Sequence, residues 1–576
     1  MKRERGACHV AKVVRKHQGK VYTSYLLRRS FRQAGKVKHK TLANLSHLPE
    51  NVIDLIRRSL QGETFVPAEQ AAFRVVGSLP HGHVEAVLTM IRKLGLERIL
   101  AARPARQRDL VVALIVQHVI HPCSKLATTR LWSTTTLAEQ LAVEDATENE
   151  LYAAMDWLDG RRAAIEKKLA ERHLSEGCLA LYDVSSSYYE GKTCPLARHG
   201  HSRDGKKGKP IIVYGVLTDS DGRPVGLDVY PGNTADPVTV ADQVEKLRGR
   251  FGLKRVLLVG DRGMLTEVQI DLLRKYPGLG WISALRSYAI RKLLDTGQVD
   301  PSLFDTRNLA EIRSPDFPGE RLIVGYNPLL AEERRRKRQR LLAATEKTLE
   351  LLARVVARRS KKPLSAVQIG LKTGKRVKRF KRAKHFRLEI DDGRFLWSRK
   401  NESIEREEQL DGIYVIRTSA TQRTLSAENT VRGYKRLTLL EQGFRRLKLE
   451  IKVRPIRHRV PPRVQVHLFI CLLAQYVLWH LREAWRPLLF ADEELIQDRQ
   501  TRDPVLPAEP SESVKQKKQT KTTTSGLPAH SLETLLAELS CRCRCRCAVA
   551  GAVGSSFDQI TDPTPLQAEA LRLLDL

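Results

Sequence analysis

Negative charge is in short supply in this chain. Its 576 residues hold 65 Asp and Glu against 100 Lys and Arg, a net charge of +35 and a pI near 10.0. That balance says little about fold but points to polyanions, with a phosphate backbone first and an anionic membrane surface second. An apolar membrane span is also lacking: the longest apolar run, residues 464–481, is interrupted by His467, Gln475 and His480, which fits a buried helix better. The basic start, residues 1–8, has no apolar stretch of a signal peptide behind it.

A cysteine framework is missing too. Five of the nine cysteines are scattered (Cys8, Cys123, Cys178, Cys194, Cys471), several of them in apolar runs where a free thiol packs. The other four alternate with arginine from Cys541 to Cys547, without the paired spacing that a zinc site uses, so the run reads as a low-complexity patch. A reducing cytoplasm is the expected compartment. The length allows roughly three or four domains.

Residues 1–62 read as a basic β-rich module with a hairpin turn at Ala34-Gly35, and residues 63–176 as a helical domain that can contact DNA. From Gly177 the pattern becomes three strands, a helix, a strand, a helix and a strand, with Asp219-Ser-Asp-Gly222 as a hairpin turn and Asp236-Pro237 as a helix start. This predicts an α/β fold, a mixed sheet with flanking helices of the ribonuclease-H-like kind, covering residues 177–289 and resuming at 411–490. Between them lies an expected basic insertion, residues 290–410; its segment 331–390 alone carries 21 Lys or Arg against 5 Asp or Glu. Residues 491–530 read as a flexible linker and 531–576 as a tail.

Three acids stand where strands or a basic helix would deliver a carboxylate to one point. Asp183 follows the run Cys178–Tyr182, Asp261 follows Val256–Gly260, and Glu441 lies in a helix predicted over Tyr434–Lys448. A charge at the end of an apolar strand needs compensation, and a hard cation supplies it. Phosphodiester cleavage uses two such ions about 3.5–4 Å apart, held by shared carboxylates. Tyr434, Glu441 and Lys448 are spaced by seven, and Arg445 is four after Glu441, so all four share one helix face. A surface ion pair between Glu441 and Arg445 is the competing reading. His199, His201 and Asp204 make a metal-like cluster on paper, although a basic turn joining two strands explains them more simply; Trp281, at a strand end, suits core packing or stacking on a displaced base.

Leu181-Tyr-Asp-Val-Ser-Ser-Ser-Tyr-Tyr-Glu-Gly191, Gly200-His-Ser-Arg-Asp204, Pro231-Gly-Asn-Thr-Ala-Asp236 and Gly260-Asp-Arg-Gly-Met264 resemble motifs of bacterial insertion-sequence DDE transposases. The likeness is to the type-four-like branch, which carries a Tyr–Arg–Glu–Lys signature, and it runs from about Lys20 through Leu481. It implies a ribonuclease-H-like core with an insertion before the glutamate, and a catalytic, metal-binding triad Asp183, Asp261 and Glu441. It further implies two Mg²⁺ ions, replaceable by Mn²⁺, and a homodimer pairing double-stranded transposon ends in a synaptic complex in the bacterial cytoplasm, at the nucleoid. Tyr434 and Lys448 take the signature's tyrosine and lysine. The signature's arginine belongs four residues before the glutamate, where this chain has Leu437. Arg436 is one step early and about 140° round the helix from Glu441; either Arg436 reaches across, Arg445 substitutes, or the helix begins irregularly.

The expected activity is Mg²⁺-dependent hydrolysis at transposon ends, followed by joining of the 3′-hydroxyls to target DNA, directly or through a hairpin. Tyr434, Arg436, Arg445 and Lys448 are the expected DNA contacts. A ribonuclease-H-like nuclease without strand transfer, and an inactive transposase-derived DNA-binding protein, are the alternatives.

Overall fold

The computed structural model describes residues 8–17, 19–33, 36–63, 73–299, 308–359, 361–495, 501–507, 509–549 and 556–576, and these form two compact units. The smaller unit takes the described residues up to Ser78 together with Arg544–Ile560. In it, strands Cys8–His17, Lys20–Gln33 and Lys36–Asn44 make an antiparallel sheet, as the β-rich reading expects; the turn at Ala34-Gly35 falls outside the described residues. Its second sheet is ordered Ser556–Ile560, Cys543–Val549, Phe73–Pro80. The alternating Cys-Arg run is therefore a strand, and its period of two turns alternate residues to opposite faces. Arg546 lies opposite Asp558 and pairs with it.

The larger unit is built on an eight-stranded mixed sheet. Its strands are β1 (Cys178–Tyr188), β2 (Ile211–Thr218), β3 (Pro224–Pro231), β4 (Val256–Val259), β5 (Leu279–Ala284), β6 (Leu309–Ile312), β7 (Arg321–Tyr326) and β8 (Ile413–Thr418). They lie in the order β6-β7-β8-β5-β4-β1-β2-β3. β1, β2 and β3 pair antiparallel, whereas β4 runs parallel to both β1 and β5. That is the ribonuclease-H-like arrangement. β2 is buried at all eight positions, so its mainly β-branched and apolar run is covered on both faces.

Helices α1 (Arg106–Ile120), α2 (Glu148–Asp159), α3 (Pro328–Ala357), α4 (Ala366–Phe380), α5 (Ala427–Lys435), α6 (Leu437–Leu449) and α7 (Pro461–Ala484) matter most for the site. α7, the long apolar run, is a core helix: it packs on α1, α2 and β3, and its residues from Leu468 to Leu478 are all buried. Burying each large apolar side chain there contributes roughly 1.5–3 kcal/mol.

The structure redraws three of the expected boundaries. Residues 82–173 do not form a helical domain ahead of the catalytic one, because their apolar faces share one continuous core with the sheet and α7. The insertion does not begin at 290: β6 and β7 extend the main sheet, β7 pairing with β8, and α3, α4, the hairpin Phe386–Asp391/Arg394–Arg399 and the helix Asn401–Glu408 follow outside it. The apolar strand Leu322-Ile-Val-Gly325, whose positions are all buried, comes ahead of the basic run at 331–390 and is too short to show a clear period. Nor are the described residues of 491–530 a free linker. Glu512–Thr520 is helical, and buried Lys517 donates to the carbonyls of Arg486 and Leu489 at 3.1 and 3.2 Å. Val505 O accepts from Asn327 Nδ2 and Lys435 Nζ. The final helix, Pro565–Arg572, is likewise tied in, with Trp485 Nε1 donating to Ala570 O at 2.9 Å.

α5 lies close on the sheet because Gly433 has no side chain: a Cβ there would sit 3.2 Å from Leu179 Cδ1 and 3.4 Å from Ile282 Cδ1. Gly433→Leu is expected to lower stability by about 1–3 kcal/mol by overpacking this contact, read as a fall in the denaturant midpoint with an unchanged slope.

Candidate active site

β1 and β4 run parallel in a register that sets Leu181 opposite Val259. Two residues further along each chain stand Asp183 and Asp261. Parallel neighbours are about 4.8 Å apart and side chains repeat with period two, so the two carboxylates leave the sheet side by side. Each is held by its own backbone. Asp183 Oδ1 accepts from Val184 N at 2.8 Å, and Asp261 Oδ1 accepts from Gly263 N and Met264 N at 2.9 and 2.7 Å.

The third acid arrives on α6, which packs on β1. Leu440, Gly443, Phe444 and Leu447 form its buried stripe, and the Phe444 ring meets Tyr214 of β2 edge-on at 6.0 Å. This spacing leaves Glu441, Arg445 and Lys448 along the flank of the stripe. All of them open onto one cleft of about 500 Å³, lined by Asp183, Arg203, Asp204, Asp236, Asp261, Glu441, Arg445, Lys448 and Arg454. The expected triad is thus gathered on a single cavity. Neither Glu441 nor Arg445 takes an ion-pair partner among the described residues, so the competing helix-surface pair is not formed.

Three cleft residues did not stand out as site residues in the sequence. Arg203 and Asp236 pair across the cleft, and Arg454 binds Asp204. They meet because two loops touch backbone to backbone: a Cβ on Gly200 would lie 2.0 Å from Gly232 O, and one on Gly232 would lie 2.4 Å from Arg198 O. Asp236 opens a short 3₁₀ turn, 236–239, with Ala235 before it, so it is not the cap that Asp236-Pro237 suggested. Charged loop residues have no periodicity to betray them; only the two glycine-bearing motifs marked the place.

Asp204 is no metal ligand alongside His199 and His201, which are both exposed. Its side chain is fully buried, accepting from Tyr188 N at 2.9 Å and pairing with Lys448 at 2.9 Å and with Arg454. It anchors Lys448 at the cleft wall. Burial lowers the Lys448 ammonium below its ordinary range, and Asp204 opposes that drop.

Arg436 goes elsewhere. The helix predicted as one piece breaks there into α5 and α6, and the Arg436 guanidinium donates to Ser220 O at 3.0 Å and faces Asp221 at 3.5 Å. It braces the turn between β2 and β3, while Arg445 lines the cleft. Tyr434, before the break, is half-buried; burial first, then the charges of Asp261 and Glu441, push its phenol up to about 12. Trp281 is buried and donates Nε1–H to Glu320, so it packs in the core and is not available for stacking.

Burial pushes the Asp183 carboxyl up to about 7, with Asp261 and Asp236 adding to the rise against the Val184 N–H and Arg203. Crowded carboxylates with only oxygen donors suit a hard divalent cation, which relieves their repulsion. The donor set therefore fits Mg²⁺.

The family model described as a transposase DDE domain matches residues 187–477, just over half of the chain, and that of an IS1634 family transposase N-terminal domain matches residues 10–70. Asp261 and Glu441 fall inside the first match, and Asp183 lies four residues before it. No curated protein matches the chain. Among solved structures, a cryo-EM structure of a piggyBac transposase synaptic complex with hairpin DNA aligns over 79% of this chain and 76% of that one, at 9% identity and a TM-score of 0.33. On the family match, the chain belongs to the insertion-sequence DDE transposases.

Proposed function

We propose that this transposase binds the ends of its element, hydrolyses the phosphodiester there with Mg²⁺ held by Asp183, Asp261 and Glu441, and joins the freed 3′-hydroxyl to target DNA. The observation that carries the reading is the single cleft shared by those three acids and the cations Arg445 and Lys448. When bound, Mg²⁺ supplies an activated nucleophile and neutralises charge on the leaving oxygen.

The chain's own residues do the rest. Arg445, free of internal partners, meets phosphate by a planar fork, and Lys448 meets it as a point charge positioned by Asp204. Arg203, pinned by Asp236, holds the rim. A second cleft, of about 630 Å³, joins the sheet to the insertion and is lined by Arg262, Arg291, Arg334 and Lys337, with Arg382 and Lys384 paired to Glu407 on the same wall; Arg262 directly follows Asp261. It offers duplex DNA a cationic path away from the acids. A homodimer that pairs two ends completes the proposal, since concerted joining needs two active sites.

Asp183→Ala, Asp261→Ala and Glu441→Ala are each expected to abolish Mg²⁺-dependent nicking of labelled end DNA while leaving gel-shift binding largely intact. Nicking that survives in any one of them refutes the assignment. Lys448→Met is expected to weaken binding evenly across sequences and to reduce the salt slope by about one, whereas Arg436→Ala leaves that slope unchanged.

Asp183→Asn separates stability from activity. The folded carboxyl titrates near 7, above its value in the unfolded chain, so its ionisation penalises the fold. The penalty grows as pH rises from about 4 and is complete above about 7. In EDTA at pH 8 the variant should therefore melt higher, by a stability gain on the order of 4 kcal/mol, and the gain should vanish toward pH 4.

A further inference from the structure

Behind α6 lies a second group of ligand-type side chains that the acid cleft does not use. His118 of α1, and His467 and Cys471 of α7, are all buried, with their ligand atoms within 4.8 Å of one another. His467 and Cys471 are four apart on one helix, so they share a face. Both imidazoles are oriented by backbone carbonyls: His118 Nδ1 faces Ile451 O at 3.4 Å, and His467 Nε2 faces Val453 O at 3.2 Å. Each neutral ring therefore donates one N–H to the chain and keeps a lone pair on its other nitrogen. His467 Nδ1 is buried and has no hydrogen-bond partner, and His118 Nε2 faces only Lys125 Nζ, at 3.5 Å. A carbonyl fixing the tautomer while the opposite nitrogen stays open is the usual setting of a metal-binding histidine.

Lys125 is the fourth member. It is 4% exposed and faces His118 with no carboxylate partner among the described residues, an arrangement that costs an ammonium dearly but suits a neutral amine. Three nitrogens and one thiol are donors of intermediate softness and differ in kind from the all-oxygen acid cleft.

We propose that His118, His467 and Cys471, with Lys125 as the fourth donor, form a structural Zn²⁺ site separate from the catalytic acids. Zinc there clamps α1 to α7. Through the two carbonyl contacts it also fixes residues 451–453, which follow α6 and precede Arg454. The clamp thereby sets where Glu441 and Lys448 stand without touching DNA. Binding deprotonates Cys471 and releases its proton to solvent.

The test uses the full chain, stripped with chelator and reloaded with Zn²⁺ alone. Expected are uptake of one ion per chain, a rise in Tm on reloading, and, with Co²⁺ in its place, a thiolate-to-cobalt charge-transfer band. Cys471→Ser should lose the band and the Tm rise; Asp183→Ala should keep both, which separates this site from the catalytic proposal. Should Cys471→Ser fail to fold, X-ray absorption of the zinc-loaded wild type decides, with a shell of nitrogen and one sulfur expected and an oxygen-only shell overturning the site. No uptake with an unchanged Tm overturns it as well. So does zinc that persists in Cys471→Ser and disappears when Cys541, Cys543, Cys545 and Cys547 are replaced by serine.

Discussion

The pairing register between β1 and β4 is the constraint on which the arrangement of the acid cleft depends. Leu181 opposite Val259 brings two carboxylates out of adjacent parallel strands, where neither has an arginine or lysine directly bonded to it. A shift of one residue would turn Asp183 to the opposite face and bury it in the core. The sheet resists that slip because β1 is flanked by β2, whose every side chain is buried. The apolar core thus holds two like charges together against their repulsion. Protonation of Asp183, or a divalent cation, relieves the strain.

Everything else in the site serves to bring opposite charge to that pair. Gly433 lets α5 settle on Leu179 and Ile282, and the break at Arg436 then redirects the chain so that α6 runs along β1. The buried stripe of α6 fixes its rotation, and rotation alone decides that Glu441, Arg445 and Lys448 face the acids. Asp204 adds a buried anion that holds Lys448 and Arg454 together. Cations and anions thus share the cleft, a combination suited to a polyanion bridged by metal.

Much of this was legible in the residues. The three acids announced themselves by following apolar runs or by sitting on a basic helix at seven-residue spacing, and the resemblance named the same three. The mixed sheet followed from strand-like runs interleaved with helices. Less was visible where the signal was local and weak. β7 was missed because four buried residues carry little periodicity, and the long charge run that follows them dominates the composition of the segment. The polar segment around Lys517 looked like a linker because composition does not reveal a lysine satisfied by backbone carbonyls. For the signature's arginine the chain offered Arg436 or Arg445 and no spacing to choose between them, while the Arg436 guanidinium is spent on Ser220 and Asp221.

Charge, the order of strands and helices, and the identity of the acids are properties of the chain read in one dimension, since period and composition survive without coordinates. Which arginine meets the cleft, that Arg203 and Asp236 join it, and that His118 lies beside His467 and Cys471 were decided only by tertiary structure. These are meetings of residues tens to hundreds of positions apart. No local spacing encodes them; they follow from strand register, helix rotation and the close approach of glycine backbones.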